Sequence, residues 1–214
     1  MSKTKSNENK VVGALKGFAG MFKRSALELN DIRCIAVTGI LIAVFLLLRT
    51  IGNIDFGPTL RVNFSFLALA SIGMLYGPVV AMLAAIPCDI LGFALDGTGA
   101  SFIPGFTFIL MFNGLIYGVF LYGFDAKKTI SIDTLRLIVA QTIIIFISRL
   151  VLNTYLLYRV GFIGGNEETV RALITARVVT NLIRYPVDIT MMIMMLIPIK
   201  AAYSRIIVGG RQTN

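Results

Sequence analysis

The chain has 214 residues, of which 57% are hydrophobic and only 14% charged, and 20 Lys and Arg against 11 Asp and Glu give a net charge of +9. Soluble domains carry about 25% charged residues, so this composition points to a membrane protein, and apolar runs far past the roughly ten residues of a barrel strand make it a helical one. Histidine is absent and the two cysteines, Cys34 and Cys88, lie within apolar segments, which argues against a disulfide framework, a His-ligated metal and His-based catalysis.

In chain order, residues 1–32 come first. Val11, Val12, Leu15, Phe18, Ala19 and Phe22 fall along one helical face, with Lys10, Lys16, Lys23 and Arg24 elsewhere. That pattern fits a basic amphipathic helix on the inner leaflet; a solvated tail that only enforces topology is the competing reading. The polar start lacks a signal peptide's short apolar core, so the chain is expected to be unprocessed.

Residues 33–203 then read as a membrane domain of six apolar segments: Cys34–Leu48, Phe64–Tyr76, Val79–Leu95, Pro104–Phe124, Thr134–Tyr158 and Thr175–Ala202. The second is short, about 20 Å of helix against a hydrocarbon core of about 30 Å, and is expected to span obliquely with Leu60–Asn63 reaching outward. Gly77-Pro78 breaks the helix and permits a tight reversal. Residues 204–214 read as a cytoplasmic tail. The expected fold class is therefore an all-α membrane protein, a six-transmembrane-helix bundle.

Basic residues set the orientation. With the N-terminus inside, the cytoplasmic side holds thirteen (Lys3, Lys5, Lys10, Lys16, Lys23, Arg24, Arg33, Lys127, Lys128, Arg136, Lys200, Arg205 and Arg211) and the outside four, Arg49, Arg61, Arg159 and Arg171. Both termini are expected in the cytoplasm of a multi-pass protein of a prokaryotic-type plasma membrane. The basic residues form no aromatic-interleaved patch, so nucleic acid is not expected as a partner.

The most specific signal lies in the sixth segment, where Arg177, Asn181, Arg184 and Asp188 recur at i, i+4, i+7 and i+11 on one helical face. A charge at the bilayer centre costs about 2.5–3.5 kcal/mol, so such a stripe faces a partner or a wet cavity. Helix direction places Asp89, Arg149, Asn153, Arg177 and Asn181 in the outer halves of three helices, a pocket open outward and closed to the cytoplasm. Arg184 and Asp188 are expected to form an internal i, i+4 ion pair. Asp89 has two readings, ligand contact or neutralisation of Arg149, and the sequence leaves both open. Three arginines facing two aspartates favour an anionic ligand.

The loops on that side, Arg49–Asn63, Asp96–Ile103 and Arg159–Arg171, are glycine-containing and fit a lid. Arg61, Asn63, Phe64, Phe66, Phe102, Phe106 and Phe108 flank them, and the phenylalanines suit a flat heteroaromatic ligand or plain packing. Gly73/Gly77 and Gly114/Gly118 mark close helix contacts, and Ala36, Gly39 and Ala43 line one small-residue face of the first segment, for internal packing or for a partner. No GxSxG, HExxH, paired-aspartate phosphotransferase motif or GxxxxGK[ST] phosphate loop occurs, so neither an enzyme nor an ATP-driven motor is expected, and no cofactor or metal. No inverted repeat or broken midplane helix supports a stand-alone secondary transporter.

The stretches RVNFSFLALASIGMLYGPVVAMLAAIPCDILGFAL (61–95) and FIPGFTFILMFNGLIYGVFLYG (102–123) resemble the substrate-binding S components of energy-coupling factor (ECF) transporters. LNTYLLYRVGF (152–162) and ARVVTNLIRYPVDI (176–189) resemble the folate group within that family. The resemblance runs from about Asp31 to Ala202. It implies a six-helix bundle that captures a vitamin on its outer face, delivers it through a transmembrane scaffold protein and two cytoplasmic ATPases, and topples in the membrane to release it. The family's AxxxA-like docking face has its nearest match at Gly39 and Ala43, with glycine in place of the first alanine. Asp89, Asn153, Arg177 and Asn181 match the family's recurrent polar positions. The expected ligand is folate or a related pterin, the alternative an S component for a different vitamin or nucleobase precursor.

Overall fold

The computed structural model describes residues 17–55, 61–96, 101–123, 130–159 and 167–211. In order these form α1 (17–28), α2 (Ile32–Thr50), β1 (Asn53–Asp55), β2 (Arg61–Asn63), α3 (Phe66–Tyr76), α4 (Pro78–Asp96), α5 (Pro104–Leu121) and α6 (Ile130–Ile143). A π-helical segment (Ile144–Leu152), α7 (Asn153–Arg159) and α8 (Glu167–Arg211) complete them. Five stretches among the described residues are long and apolar enough to cross a membrane: α2, α4, α5, Thr134–Arg159 and Ile174–Lys200. The short segment of the sequence reading is α3, an 11-residue apolar helix. Val11, Val12 and Leu15 of the expected amphipathic face, the glycines of the three outer loops beyond Gly52, and Phe124 lie outside the described residues.

Helix α3 is apolar all round, and every one of its residues is buried. A helix without a polar face must lie inside the bundle, and α2, α4, α5 and α8 all pack on it. Small residues set the spacing: a Cβ added to Gly73 would come within 2.8 Å of the Gly118 backbone nitrogen, and one on Gly114 within 2.7 Å of the Ala81 carbonyl. Gly118 itself lies against the Pro78 backbone. Both glycine pairs thus mark close contacts, as their spacing suggests. Gly118→Ala is expected to lower the thermal midpoint by the equivalent of about 1–3 kcal/mol of overpacking, whereas Gly20→Ala, with nothing within 4 Å, leaves it in place. Equal midpoints for the two variants, read by circular dichroism in detergent, would contradict the close approach of α4 and α5.

The reversal between α3 and α4 is fastened from outside. Gly77 adopts φ +86°, open to glycine and strained for other residues. Ser25 of α1 is fully buried beside it, donating its hydroxyl to the Tyr76 carbonyl at 2.7 Å and accepting the Val79 N–H at 3.0 Å, which caps the start of α4. Tyr203 of α8 donates to the Tyr76 hydroxyl at 3.0 Å and meets its ring edge-on. The described part of the N-terminal segment is therefore seated on the bundle rather than apart from it.

Three features depart from the sequence reading. Residues preceding α3 form a small antiparallel hairpin, Asn53–Asp55 on Arg61–Asn63, in an otherwise helical fold. The fifth segment changes to π geometry for nine residues, longer than the single-turn bulges usual for this conformation. Helix α8 runs 45 residues through Pro186 and Pro198, about 68 Å of rise, and so extends past both ends of the expected segment Thr175–Ala202.

Candidate functional site

The polar stripe of α8 meets the π segment and α6 at a buried carboxylate. Asp188, 1% exposed, accepts from Arg149 Nη1 at 3.0 Å, Gln141 Nε2 at 3.1 Å and Arg184 Nε at 3.4 Å. Tyr117 of α5 extends the network, donating to Gln141 Oε1 at 3.0 Å. Arg184 also donates through Nη2 to the Asn63 carbonyl at 3.0 Å, joining α8 to the hairpin. The i, i+4 pair expected at Arg184 and Asp188 is present, and Asp188 is in fact a hub for two guanidiniums.

Two hollows share those guanidiniums in their linings. The outer one, ≈ 430 Å³, is lined by Arg149, Asn153, Ala176, Arg177, Thr180, Asn181 and Arg184. The inner one, ≈ 150 Å³, is lined by Phe45, Asn63, Ser65, Phe66, Leu69, Leu110, Asn113, Tyr117 and Ile144, and again by Arg149 and Arg184. The sequence expectation that Arg149, Asn153, Arg177 and Asn181 share one place holds as geometry, because the i, i+4 and i, i+7 spacings keep them on facing stripes. Arg177 reaches Thr154 Oγ1 at 3.4 Å and has no carboxylate partner among the described residues. The cleft is thus polar and cationic, and the second hollow combines apolar and aromatic side chains with Asn63, Asn113, Tyr117, Arg149 and Arg184.

Asp89 lies elsewhere. It pairs with Arg49 at 3.4 Å and accepts from Thr107 at 2.7 Å, while Arg49 also binds Asp96 at 2.7 Å. Gly92 leaves room for that guanidinium, since a Cβ there would come within 2.7 Å of Arg49 Nη1. Neutralisation of Arg149 by Asp89, one of its two readings, is not what the structure has: Arg149 pairs with Asp188. The reason is helix order, since α4 packs on α2 and α5, whereas the arginine stripe belongs to α8 and the π segment.

The aromatic candidates separate likewise. Phe66 lines the inner chamber and Phe64 packs against the core. Phe102 stacks edge-on with Phe93 at 5.3 Å, Phe106 is half-buried, and Phe108 is 69% exposed on the outside of the bundle. Asn63 lines the inner chamber, with Oδ1 accepting from the Ser65 N–H at 2.7 Å. The Arg61 side chain lies outside the described residues. Ala36, Gly39 and Ala43 are exposed on α2, and nothing lies within 4 Å of a Cβ built on Gly39.

Sequence reasoning missed Gln141, Asn113, Tyr117 and Phe45. The signal existed for the first two, each a lone amide inside an apolar helix, but neither stands four residues from an arginine as Asn153 and Asn181 do. Tyr117 and Phe45 carry no such signal, because an aromatic residue in an apolar helix looks the same whether it lines a chamber or fills a core.

Residues 33–196 match the protein family described as ECF transporter, substrate-specific component. A folate transporter FolT of Leuconostoc mesenteroides subsp. mesenteroides is 31% identical over 161 residues, 74% of this chain and 82% of that protein. A folate transporter FolT of Clostridium novyi is 33% identical over 130 residues, 61% of this chain and 69% of that protein. Among solved structures, FolT bound with folic acid is similar at a TM-score of 0.60 and 27% identity, over 74% of this chain and 88% of that one.

Proposed function

This chain belongs to the family of ECF transporter substrate-specific components, and from that premise we propose that it is the folate-capturing subunit of an ATP-driven vitamin uptake transporter. The observation that carries the reading is Arg177, a guanidinium without a carboxylate partner among the described residues, in a cleft that shares Arg149 and Arg184 with a second hollow lined in part by Phe45 and Phe66. Around the two hollows stand three guanidiniums and one carboxylate, Asp188. Folate has a flat fused ring and a glutamate tail with two carboxylates, so each end finds a matching environment. The names of the relatives, folate transporters, and the folic acid in the similar structure agree with that chemistry.

In this reading Arg149, Asn153, Arg177 and Asn181 contact the ligand, with Asn63 and Phe66 from the inner side. Asp89 supports the site through Arg49 and Thr107. Helix α3 makes the sixth, short membrane segment within the five longer ones, and the excess of basic residues on one side sets both termini in the cytoplasm of a multi-pass cell-membrane protein. The open face of Ala36, Gly39 and Ala43 is the contact for a transmembrane scaffold protein, through which two cytoplasmic ATPases supply the energy. The domain division follows: 1–32 at the inner leaflet, 33–203 as the membrane domain, and 204–214 on the cytoplasmic side.

Calorimetry on the purified chain in detergent tests the ligand. Roughly one-to-one, tight binding of folate is expected, with none of riboflavin or biotin. A folate analogue with both tail carboxylates amidated is expected to bind at least about 30-fold more weakly, the loss of about 2 kcal/mol from a desolvated charge pair. Equal binding of the amidated and native forms would refute the anionic-ligand reading. Absence of folate binding by folded protein would leave the family standing and move the ligand to another vitamin.

A further inference from the structure

Helix α1 carries an apolar stripe that outruns the bundle. Phe18, Met21, Phe22 and Ser25 share one helical face, and their burial falls toward its start. Ser25 is fully buried, Met21 and Phe22 are half-buried, and Phe18 is 48% exposed although its ring lies 5.0 Å from that of Phe22. The buried end is held by the Tyr76 carbonyl and the Val79 N–H, where α3 stops and α4 starts. Just past α1, Asp31 accepts the Arg33 N–H at 2.9 Å and caps α2. Helix α1 therefore lies against the ends of α2, α3 and α4, and its exposed aromatic end stands where these apolar segments finish.

The other side of α1 is cationic. At about 100° per residue, Arg24 stands roughly 100° and Lys23 roughly 160° around the axis from Ser25. Both are exposed, and neither forms an ion pair among the described residues. Of the carboxylates nearby, Asp31 is engaged in the α2 cap and Glu28 is half-buried. The sequence adds Lys3, Lys5, Lys10 and Lys16 ahead of the helix, against Glu8 alone.

Resting on the placement of residues 1–32 at the inner leaflet, we propose that α1 binds the anionic phospholipids of that leaflet: Phe18 enters the acyl boundary while Lys23 and Arg24 hold headgroup phosphates. Lysine and arginine stems are long enough to reach headgroups from the polar side of an interfacial helix. Basic residues clustered on such a helix recognise anionic lipid, each adding about fivefold in affinity near the surface. Neutral lipid would satisfy Phe18 and leave both cations to water. A solvated tail would have no use for an aromatic pair that continues the seated stripe. Because Ser25 ties the same helix to the α3–α4 reversal, lipid bound at α1 also stabilises that end of the bundle.

The chain contains no tryptophan, so Phe18→Trp installs a single fluorophore where insertion is expected. In the full chain reconstituted in bilayers, brominated phosphatidylglycerol is expected to quench it with an affinity about 5- to 25-fold above that of brominated phosphatidylcholine. Adding Lys23→Gln and Arg24→Gln is expected to make the two lipids equivalent, as is salt at about 1 M. Equal quenching with Lys23 and Arg24 intact would overturn the anionic preference. No quenching by either lipid, the result if solvent or a partner protein covered α1, would overturn the proposal together with the inner-leaflet placement. A second measurement keeps the natural Phe18, should the tryptophan variant not fold. Phosphatidylglycerol is expected to raise the thermal midpoint of the wild type about 4–8 °C more than that of Lys23→Gln/Arg24→Gln, and an equal rise would overturn the proposal. Neither measurement involves folate, so the substrate reading stands or falls separately.

Discussion

Asp188→Ala is expected to be the most destabilising single substitution in the site, lowering stability by about 3–5 kcal/mol, because removing one partner of a buried ion pair leaves the other charge uncompensated. Here two guanidiniums and one amide lose their common acceptor at once: Arg149 at 3.0 Å, Arg184 at 3.4 Å and Gln141 at 3.1 Å. For a chain of this size the loss corresponds to a fall in thermal midpoint of roughly 6–20 °C. Asp188→Asn keeps an acceptor of the same shape and is expected to fall between wild type and alanine. Helical circular dichroism on heating, in one detergent for all three proteins, reads the order. An unchanged midpoint for the alanine variant would show that Arg149 and Arg184 find water or lipid headgroups instead. A double-mutant cycle with Arg184→Leu sharpens the measurement, since removing donor and acceptor together should cost less than the sum of the single changes.

Arg177→Ala is expected to have the largest effect on binding, weakening folate by roughly 30-fold or more, about 2–5 kcal/mol for truncating one side of a desolvated charge contact. The protein should remain folded, because among the described residues the Arg177 side chain makes one long hydrogen bond, 3.4 Å to Thr154. Binding of the amidated analogue should barely change, which separates loss of a charge contact from general damage to the cleft. Arg177→Lys keeps the charge but not the planar fork that grips a carboxylate in two bonds, so it recovers the affinity only in part. Undiminished folate affinity in the alanine variant would place the tail carboxylates elsewhere.

The contrast between these two arginines shows how the bundle divides its charges. Arg184 and Arg149 are tied to Asp188 before any ligand arrives, so they serve the architecture as well as the cleft. Arg177 lies nearer the start of the same α8 stripe, where the described residues supply a hydroxyl and no carboxylate. Pro186 sits between Arg184 and Asp188, so the stripe is held by side-chain bonds across helices at the place where the backbone ladder is interrupted.

Much of this was legible in the sequence, for identifiable reasons. Long apolar runs and the exclusion of charge fixed the membrane helices, and Gly77-Pro78 fixed the reversal between α3 and α4. The period of 3.6 placed Arg177, Asn181, Arg184 and Asp188 on one face, since they all belong to one helix and local geometry alone relates them. Which helices face one another does not follow from periodicity. Asp89 carries the same intramembrane signal as Asp188, yet α4 packs on α2 and delivers it to Arg49, while Asp188 meets Arg149. The π segment, the hairpin against which Arg184 donates, and the unsatisfied Asn113 Oδ1 likewise arise from contacts between residues distant in the chain. The sequence by itself determined the membrane class, the segments and the cationic stripe, because each rests on composition or on neighbours within a few turns. Only the tertiary structure decided which carboxylate answers which arginine and which buried amide oxygen goes without a hydrogen bond, because those depend on three-dimensional pairing that no spacing encodes.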